Sequence, residues 1–197
     1  MNLLIAYATT DGMTAQIAER LGKVAGFLGH RTMVVNIDRL PTWFQPQTFD
    51  AILVGASVHV RGYQRSAKRF IRDNLELLNS RPSAFFSVCM AIASKDKHSR
   101  EEAHSIAEAF PAALGWKPQA IEVIAGAIMF SRYGIFRRPV MRAIARKEVG
   151  ELDTSHDHIY TDWNAVEGFC RSFLEAAAPR LVTTMPIART KTSATTV

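Results

Sequence analysis

Cysteine is nearly absent from this chain of 197 residues: Cys89 and Cys170 are the only two, far apart, in apolar settings, with no C-x-x-C pair. That excludes a disulfide framework and a zinc ribbon, and it fits buried thiols in a reducing cytoplasm. No apolar run reaches the roughly 20 residues that a membrane span needs, since the longest, 120–130, is interrupted by Glu122. The N-terminus has neither a basic region nor a small-residue cleavage site, so no secretory signal is expected. Both nucleotide fingerprints, G-x-x-x-x-G-K-(S/T) and G-x-G-x-x-G, are missing. So is any Ser-His-Asp arrangement. His156 and His158 flank Asp157 without further ligands at metal spacing, and no metal site is expected.

About half the residues, 48%, are apolar, which suffices for one well-buried domain and is too little chain for two of ordinary size. The net charge of +6 is unevenly placed. Arg132, Arg137, Arg138, Arg142, Arg146 and Lys147 stand against Glu148 alone in 131–150, and the stretch 179–197 adds Arg180, Arg189 and Lys191 with no acid. The remainder is slightly acidic. A nucleic-acid partner is not expected, because no aromatic-basic interleaving or reading motif accompanies the charge.

The feature around which the chain is organised is a turn, residues 8–14, between the apolar run Leu3-Leu4-Ile5-Ala6-Tyr7 and a helical pattern starting near Met13. A helix N-terminus has free N–H groups and a positive dipole end, which favour an anion. Thr9, Thr10 and Thr14 add hydroxyl donors, and Gly12 allows close backbone approach. The loop has no lysine or arginine, so it suits a single phosphate monoester held by neutral donors rather than a triphosphate. The competing reading is an ordinary strand-to-helix turn with Asp11 or Thr10 as N-cap. The turn resembles the flavodoxin pattern (S/T)-x-T-G-x-T with Asp11 inserted before the glycine.

Further along, Ala15, Ile17, Ala18, Leu21, Val24, Ala25 and Leu28 recur at helical spacing until Gly29. Strands are expected at 32–37, 51–56, 84–88 and 122–128, and helices at 66–78, from a capping box at Ser99–Glu102 to 113, and at 162–178. This alternation indicates a doubly wound, five-stranded parallel sheet with a basic helical insert after the fifth strand. One domain, 1–178, is expected, containing a basic insert at 131–158. The threonine-rich stretch 179–197 is expected to be disordered. Three loops then meet at the carboxyl ends of the strands, where such sheets bind ligands: 8–14, 57–65 and 89–97.

From Met1 to about Ala178 the chain resembles the menaquinone-dependent protoporphyrinogen oxidase family of the flavodoxin superfamily. The likeness rests on Thr10-Asp11-Gly12-Met13-Thr14, on Gly55-Ala56-Ser57 with Tyr63 after it, and on Pro82-Ser83-Ala84-Phe85-Phe86-Ser87-Val88. It extends to Val123-Ile124-Ala125-Gly126-Ala127 and to Asp153-Thr154-Ser155 followed by Tyr160-Thr161-Asp162-Trp163. The resemblance implies a flavodoxin-like fold and FMN as cofactor. Thr9, Thr10, Asp11, Gly12, Met13 and Thr14 would hold its phosphate; Ser57, Val58 and His59 would lie near the isoalloxazine edge, and Ser87, Val88, Cys89 and Met90 along its other side. It further implies a tetrapyrrole substrate, oxidation of protoporphyrinogen IX, and menaquinone or another quinone as acceptor. Two positions depart from the family: His59-Val60 replaces an arginine-aromatic pair, with Arg61 displaced, and Cys89-Met90 replaces a more polar start.

Within that frame His59 is the candidate for proton relay or for binding a substrate carboxylate. Arg61, Arg65 and Arg132 are candidates for pairing with propionates. No aromatic opens the loop at 89–92, which leaves one flavin face open to a flat substrate. In 131–150, Phe136, Val140, Ala143 and Ile144 share one helical face and Arg138, Arg142 and Arg146 the other. Such a segment can lie peripherally on an anionic membrane or pack on the domain. A soluble electron carrier and a general flavin-dependent quinone reductase are the alternatives, and a homo-oligomer stays open.

Overall fold

The computed structural model describes residues 1–58, 62–132, 139, 142–143, 146, 153 and 155–184. The apolar run at the N-terminus forms β1 (Asn2–Tyr7), whose residues Leu3, Leu4, Ile5 and Ala6 are all fully buried. Alternate side chains of a strand point to opposite faces, so this run can be apolar throughout only if both faces are covered. They are. β1 pairs in parallel with β2 (Arg31–Asn36) on one side and β3 (Ala51–Ser57) on the other. β4 (Ser83–Val88) and β5 (Ala120–Ile124) continue the sheet in the order β2-β1-β3-β4-β5.

Leu3, Ile5, Leu53 and Phe86 face one core with α1 (Met13–Phe27) and α5 (Trp163–Thr184). Leu4, Ile52, Val54 and Phe85 face the other, with α2 (Arg65–Asp73), α3 (Leu75–Ser80) and the end of α4 (Lys97–Ala112). The chain runs outward from β1 to β2, then crosses back to β3, so the order reverses beside β1. That reversal opens a crevice at the carboxyl ends of β1 and β3. A Cβ on Gly55 would lie 2.0 Å from Cζ of Phe86, so β3 must be bare there for the Phe86 ring to cross it.

Several boundaries differ from the sequence expectation. The helix foreseen at 66–78 is two, because Asn74 between them turns its side-chain amide onto the Phe70 carbonyl at 2.8 Å. The strand foreseen at 122–128 stops at Ile124. Thr161 Oγ1 donates to the Ala125 carbonyl at 2.6 Å and Tyr160 N to the Gly126 carbonyl at 3.1 Å, and the chain turns away into β6 (Ala127–Ile128). β6 pairs antiparallel with β7 (His158–Ile159). Helix α4 begins two residues before Ser99, because Asp96 caps it and accepts from the Ser99 N–H at 2.9 Å and the Ser99 hydroxyl at 3.0 Å. The stretch expected to be disordered from 179 is helical as far as Thr184. The apolar spacing of Phe173 and Ala177 continues to Leu181, and Pro179 removes only one helical N–H.

Candidate functional site

The turn after β1 is shaped by Gly12, which is the N-cap of α1 at φ 92°, a left-handed conformation costly for a residue with a Cβ. Neither Asp11 nor Thr10 takes the cap. The Gly12 N–H donates to Thr9 Oγ1 at 2.9 Å, and the Gly12 carbonyl accepts the first intrahelical bond, from Gln16 N at 3.2 Å. The N–H groups ahead of Gln16 therefore have no carbonyl one turn back. Thr14 is 1% exposed, and its hydroxyl makes no hydrogen bond. A buried hydroxyl without a partner costs about 1–3 kcal/mol. It stands in the first turn of a helix, beside N–H groups that no helical carbonyl takes up, where an incoming acceptor would satisfy both. Met13 is buried in the core, where it anchors the helix start, and Asp11 is half-buried.

The second loop stands next to it. Ala8 N donates to the Gly55 carbonyl at 2.9 Å, and Val58 N to the Val88 carbonyl at 2.9 Å, so the loops after β1, β3 and β4 are stitched side by side. Ser57 and Val58 are half-buried at this edge. Gln64 reaches across. Its Oε1 accepts from Ser57 N at 3.2 Å, and its Nε2 donates to Ser57 Oγ at 2.6 Å and to Thr10 Oγ1 at 3.3 Å. Tyr63 turns inward, with its ring 4.2 Å from that of Phe110 and 5.4 Å from that of Phe85, and its hydroxyl 2.7 Å from Ser87 Oγ. Burial pushes its phenol up to about 12, only partly offset by the Ser87 hydrogen bond.

The third loop is apolar. Cys89 is buried, and Met90 opens a 3-10 turn, Met90–Ala93, that brings no aromatic ring. Ser87 and Val88 present no side-chain surface: Ser87 is fully buried on Tyr63, and Val88 is packed in the α1–α5 core. The Tyr160-Thr161-Asp162-Trp163 block closes the strand ends beyond. Thr161 holds the Ala125 carbonyl, and Asp162 Oδ1 caps α5 by accepting from Asn164 N at 2.9 Å and Ala165 N at 3.1 Å.

Thr9, Thr10, Gly12, Thr14 and Ser57 thus come together. His59 and Arg61, with the side chain of Arg132, lie outside the described residues. Arg65, the exposed first residue of α2, lines a separate cleft of about 600 Å3 with Leu40, Phe44 and Phe70. Asp153 and Asp157 hold their own loop: Asp157 accepts from Ser131 N at 2.8 Å, and hydrogen bonds from the Ser155 N–H and hydroxyl keep the Asp153 carboxyl below its ordinary range. Sequence reasoning missed Gln64. Its one signal was position, since glutamine is a poor N-cap, and at the N-cap of α2 its side chain makes no capping hydrogen bond.

A Flavodoxin domain family model matches residues 4–155. Protoporphyrinogen IX dehydrogenase (quinone) of Escherichia coli strain K12 is 34% identical over 173 residues, covering 87% of this chain and 93% of the relative. The protein of that name from Leishmania major is 31% identical over 95% of this chain and 80% of its own length. Among solved structures, oxidised flavodoxin 1 from Bacillus cereus superposes at a TM-score of 0.54 with 14% identity, covering 89% of this chain and 98% of that one, a likeness of fold. With its doubly wound sheet and hydroxyl-lined turn, the chain belongs to the protoporphyrinogen IX dehydrogenase (quinone) family of flavodoxin-domain proteins.

Proposed function

We propose that the chain is an FMN-dependent oxidoreductase that oxidises protoporphyrinogen IX to protoporphyrin IX and passes the electrons to a quinone, menaquinone foremost. The observation that supports the cofactor is the buried, unpartnered Thr14 hydroxyl at the start of α1. The donor set around it consists of hydroxyls and backbone N–H groups with no cation in the turn. A phosphate monoester, the anchoring group of FMN, matches that set; a triphosphate would leave its outer charges uncompensated. When bound, FMN supplies the two-electron chemistry.

The chain's own residues position and shield. Thr9, Thr10 and Thr14 donate toward the phosphate, and Gly12 keeps that space clear of a Cβ. Ser57 and Val58 would lie against the isoalloxazine edge, and the apolar turn at Met90–Ala93 would exclude water from one side. With no aromatic ring on that turn, a broad planar substrate has room to approach. The substrate and acceptor follow the relatives' names.

Contact with an anionic membrane through 131–150 belongs to the same proposal. Ala143, which the helical spacing puts on the apolar face, is exposed, as are Arg142 and Arg146. An apolar residue left in solvent beside basic ones favours a lipid surface over packing on the domain. Among the described residues no helix is long and apolar enough to cross a membrane.

The test is to purify the protein and record its absorption, then follow protoporphyrinogen IX oxidation anaerobically with a menaquinone analogue. A yellow protein with quinone-dependent turnover is expected. A colourless protein that takes up no added FMN would overturn the cofactor, and a yellow protein inert toward protoporphyrinogen would overturn the substrate alone.

A further inference from the structure

We infer that Gln64 is a positioning residue that sets the Thr10 hydroxyl in the turn after β1 as a donor toward a bound phosphate, an inference that rests on the FMN reading. The orientation of its amide follows from one contact. A backbone N–H can only donate, and Ser57 N lies 3.2 Å from Oε1, so the oxygen end faces Ser57 N and the nitrogen end faces Ser57 Oγ and Thr10 Oγ1. An amide nitrogen can only donate in turn. Both hydroxyl oxygens are therefore acceptors toward Gln64, and the Thr10 hydroxyl keeps its own proton to give to a ligand.

Thr9 is in the same state by a different route, because its Oγ1 accepts from Gly12 N at 2.9 Å. Thr9 and Thr10 are thus both turned toward donation before a ligand arrives. A phosphate dianion accepts hydrogen bonds and gives none, so a hydroxyl free to rotate a lone pair toward it would repel it. Presetting the protons removes that loss.

The position of Gln64 is itself secured. Gly62 turns the chain at φ 93°, and Tyr63 is held between Phe85 and Phe110 with its hydroxyl on Ser87, so the next residue is delivered to the gap between the two loops. The span from Gln64 to Thr10 is 54 residues in sequence, and the amide closes it with one side chain.

The experiment titrates flavin-stripped full-length protein with FMN and, separately, with riboflavin, which lacks the phosphate, for wild type, Gln64→Glu and Gln64→Met. The carboxylate introduced by Gln64→Glu can still accept from Ser57 N but cannot donate, so Thr10 would turn its proton to it. We expect FMN affinity to fall about 100-fold in Gln64→Glu and about 10-fold in Gln64→Met, while riboflavin affinity stays within about 3-fold. Gln64→Met retains volume without charge, so it decides the matter if the Gln64→Glu variant does not fold. A parallel loss of FMN and riboflavin would show a merely structural role and overturn the inference, as would unchanged FMN affinity in both variants. Wild type that binds neither flavin would overturn the FMN reading and the inference with it. Wild type that binds both, with variants that keep its FMN-to-riboflavin ratio, would overturn the inference alone.

Discussion

The turn after β1 and the loop after β4 leave the same end of the sheet, two strands apart, and use their polar groups in opposite ways. In the loop after β4 the polar groups are spent within the loop. Ser94 Oγ accepts from Asp96 N at 3.2 Å, Arg100 Nη1 donates to the carbonyls of Ser94 at 2.7 Å and Lys95 at 3.0 Å, and Asp96 caps α4. Its remaining surface, Met90 to Ile92, is apolar. The turn after β1 leaves a buried hydroxyl and the first N–H groups of α1 unsatisfied. One loop is complete as folded; the other keeps donors open to an anion. Two loops on one scaffold can thus share the binding of an amphipathic cofactor, one taking its charged end and one walling its flat end.

The largest effect is expected where both loops share support. Gly55→Ala forces a Cβ onto Phe86 at 2.0 Å and should destabilise the protein by about 3 kcal/mol, read from denaturant midpoints, with flavin binding lost alongside. An unchanged midpoint would mean that the β3–β4 contact does not hold the loops together. Thr14→Val tests the deficit directly. FMN affinity should fall about tenfold or more, while the flavin-free protein gains up to about 1 kcal/mol as an unpaired hydroxyl becomes a methyl. Loss on both counts would show that Thr14 has a partner within the fold.

Tyr63→Phe sharpens the contrast by leaving the buried Ser87 hydroxyl without its partner, at about 1–2 kcal/mol by thermal or denaturant unfolding. The variant should also lose an alkaline slope. In the wild type the phenol titrates near 10.0 when unfolded and near 12 when folded, so its contribution is complete below pH 10 and is lost as pH rises through 12. If both proteins share the same alkaline profile, another group dominates there. The smallest effect belongs to Asp96→Asn in the self-contained loop. Hydrogen bonds from the Ser99 N–H and hydroxyl hold the Asp96 carboxyl below its ordinary value of 3.8. Its stabilisation is therefore complete above that value and drains as pH falls through the lowered one, a slope the asparagine variant should lack in acid unfolding curves, with FMN affinity unchanged.

What could be read from the sequence was what neighbouring residues decide together. β1 and β3 carry unbroken apolar runs because both sheet faces are covered, and the hydroxyl-lined turn is written in a glycine and three threonines within six positions. What escaped reading was decided by partners from elsewhere. Asn74 breaks a continuous apolar period with a hydrogen bond to Phe70, and β5 ends where Thr161, far along the chain, takes the Ala125 carbonyl. Ser99 looked like a cap because Glu102 follows it, yet Asp96 offers a carboxylate to the Ser99 N–H itself. Gln64 was missed because its partners sit on two different loops.

For the turn after β1, the sequence by itself determined the chemistry on offer: hydroxyl and N–H donors at a helix start, with no cation and with a glycine to clear space. Composition and helix polarity are local, so a contiguous stretch encodes them. The tertiary structure decided which of those groups stay unspent. Folding buried the Thr14 hydroxyl without a partner and brought Gln64 against Thr10, because the direction of a hydrogen bond depends on the group that the sheet order sets opposite it.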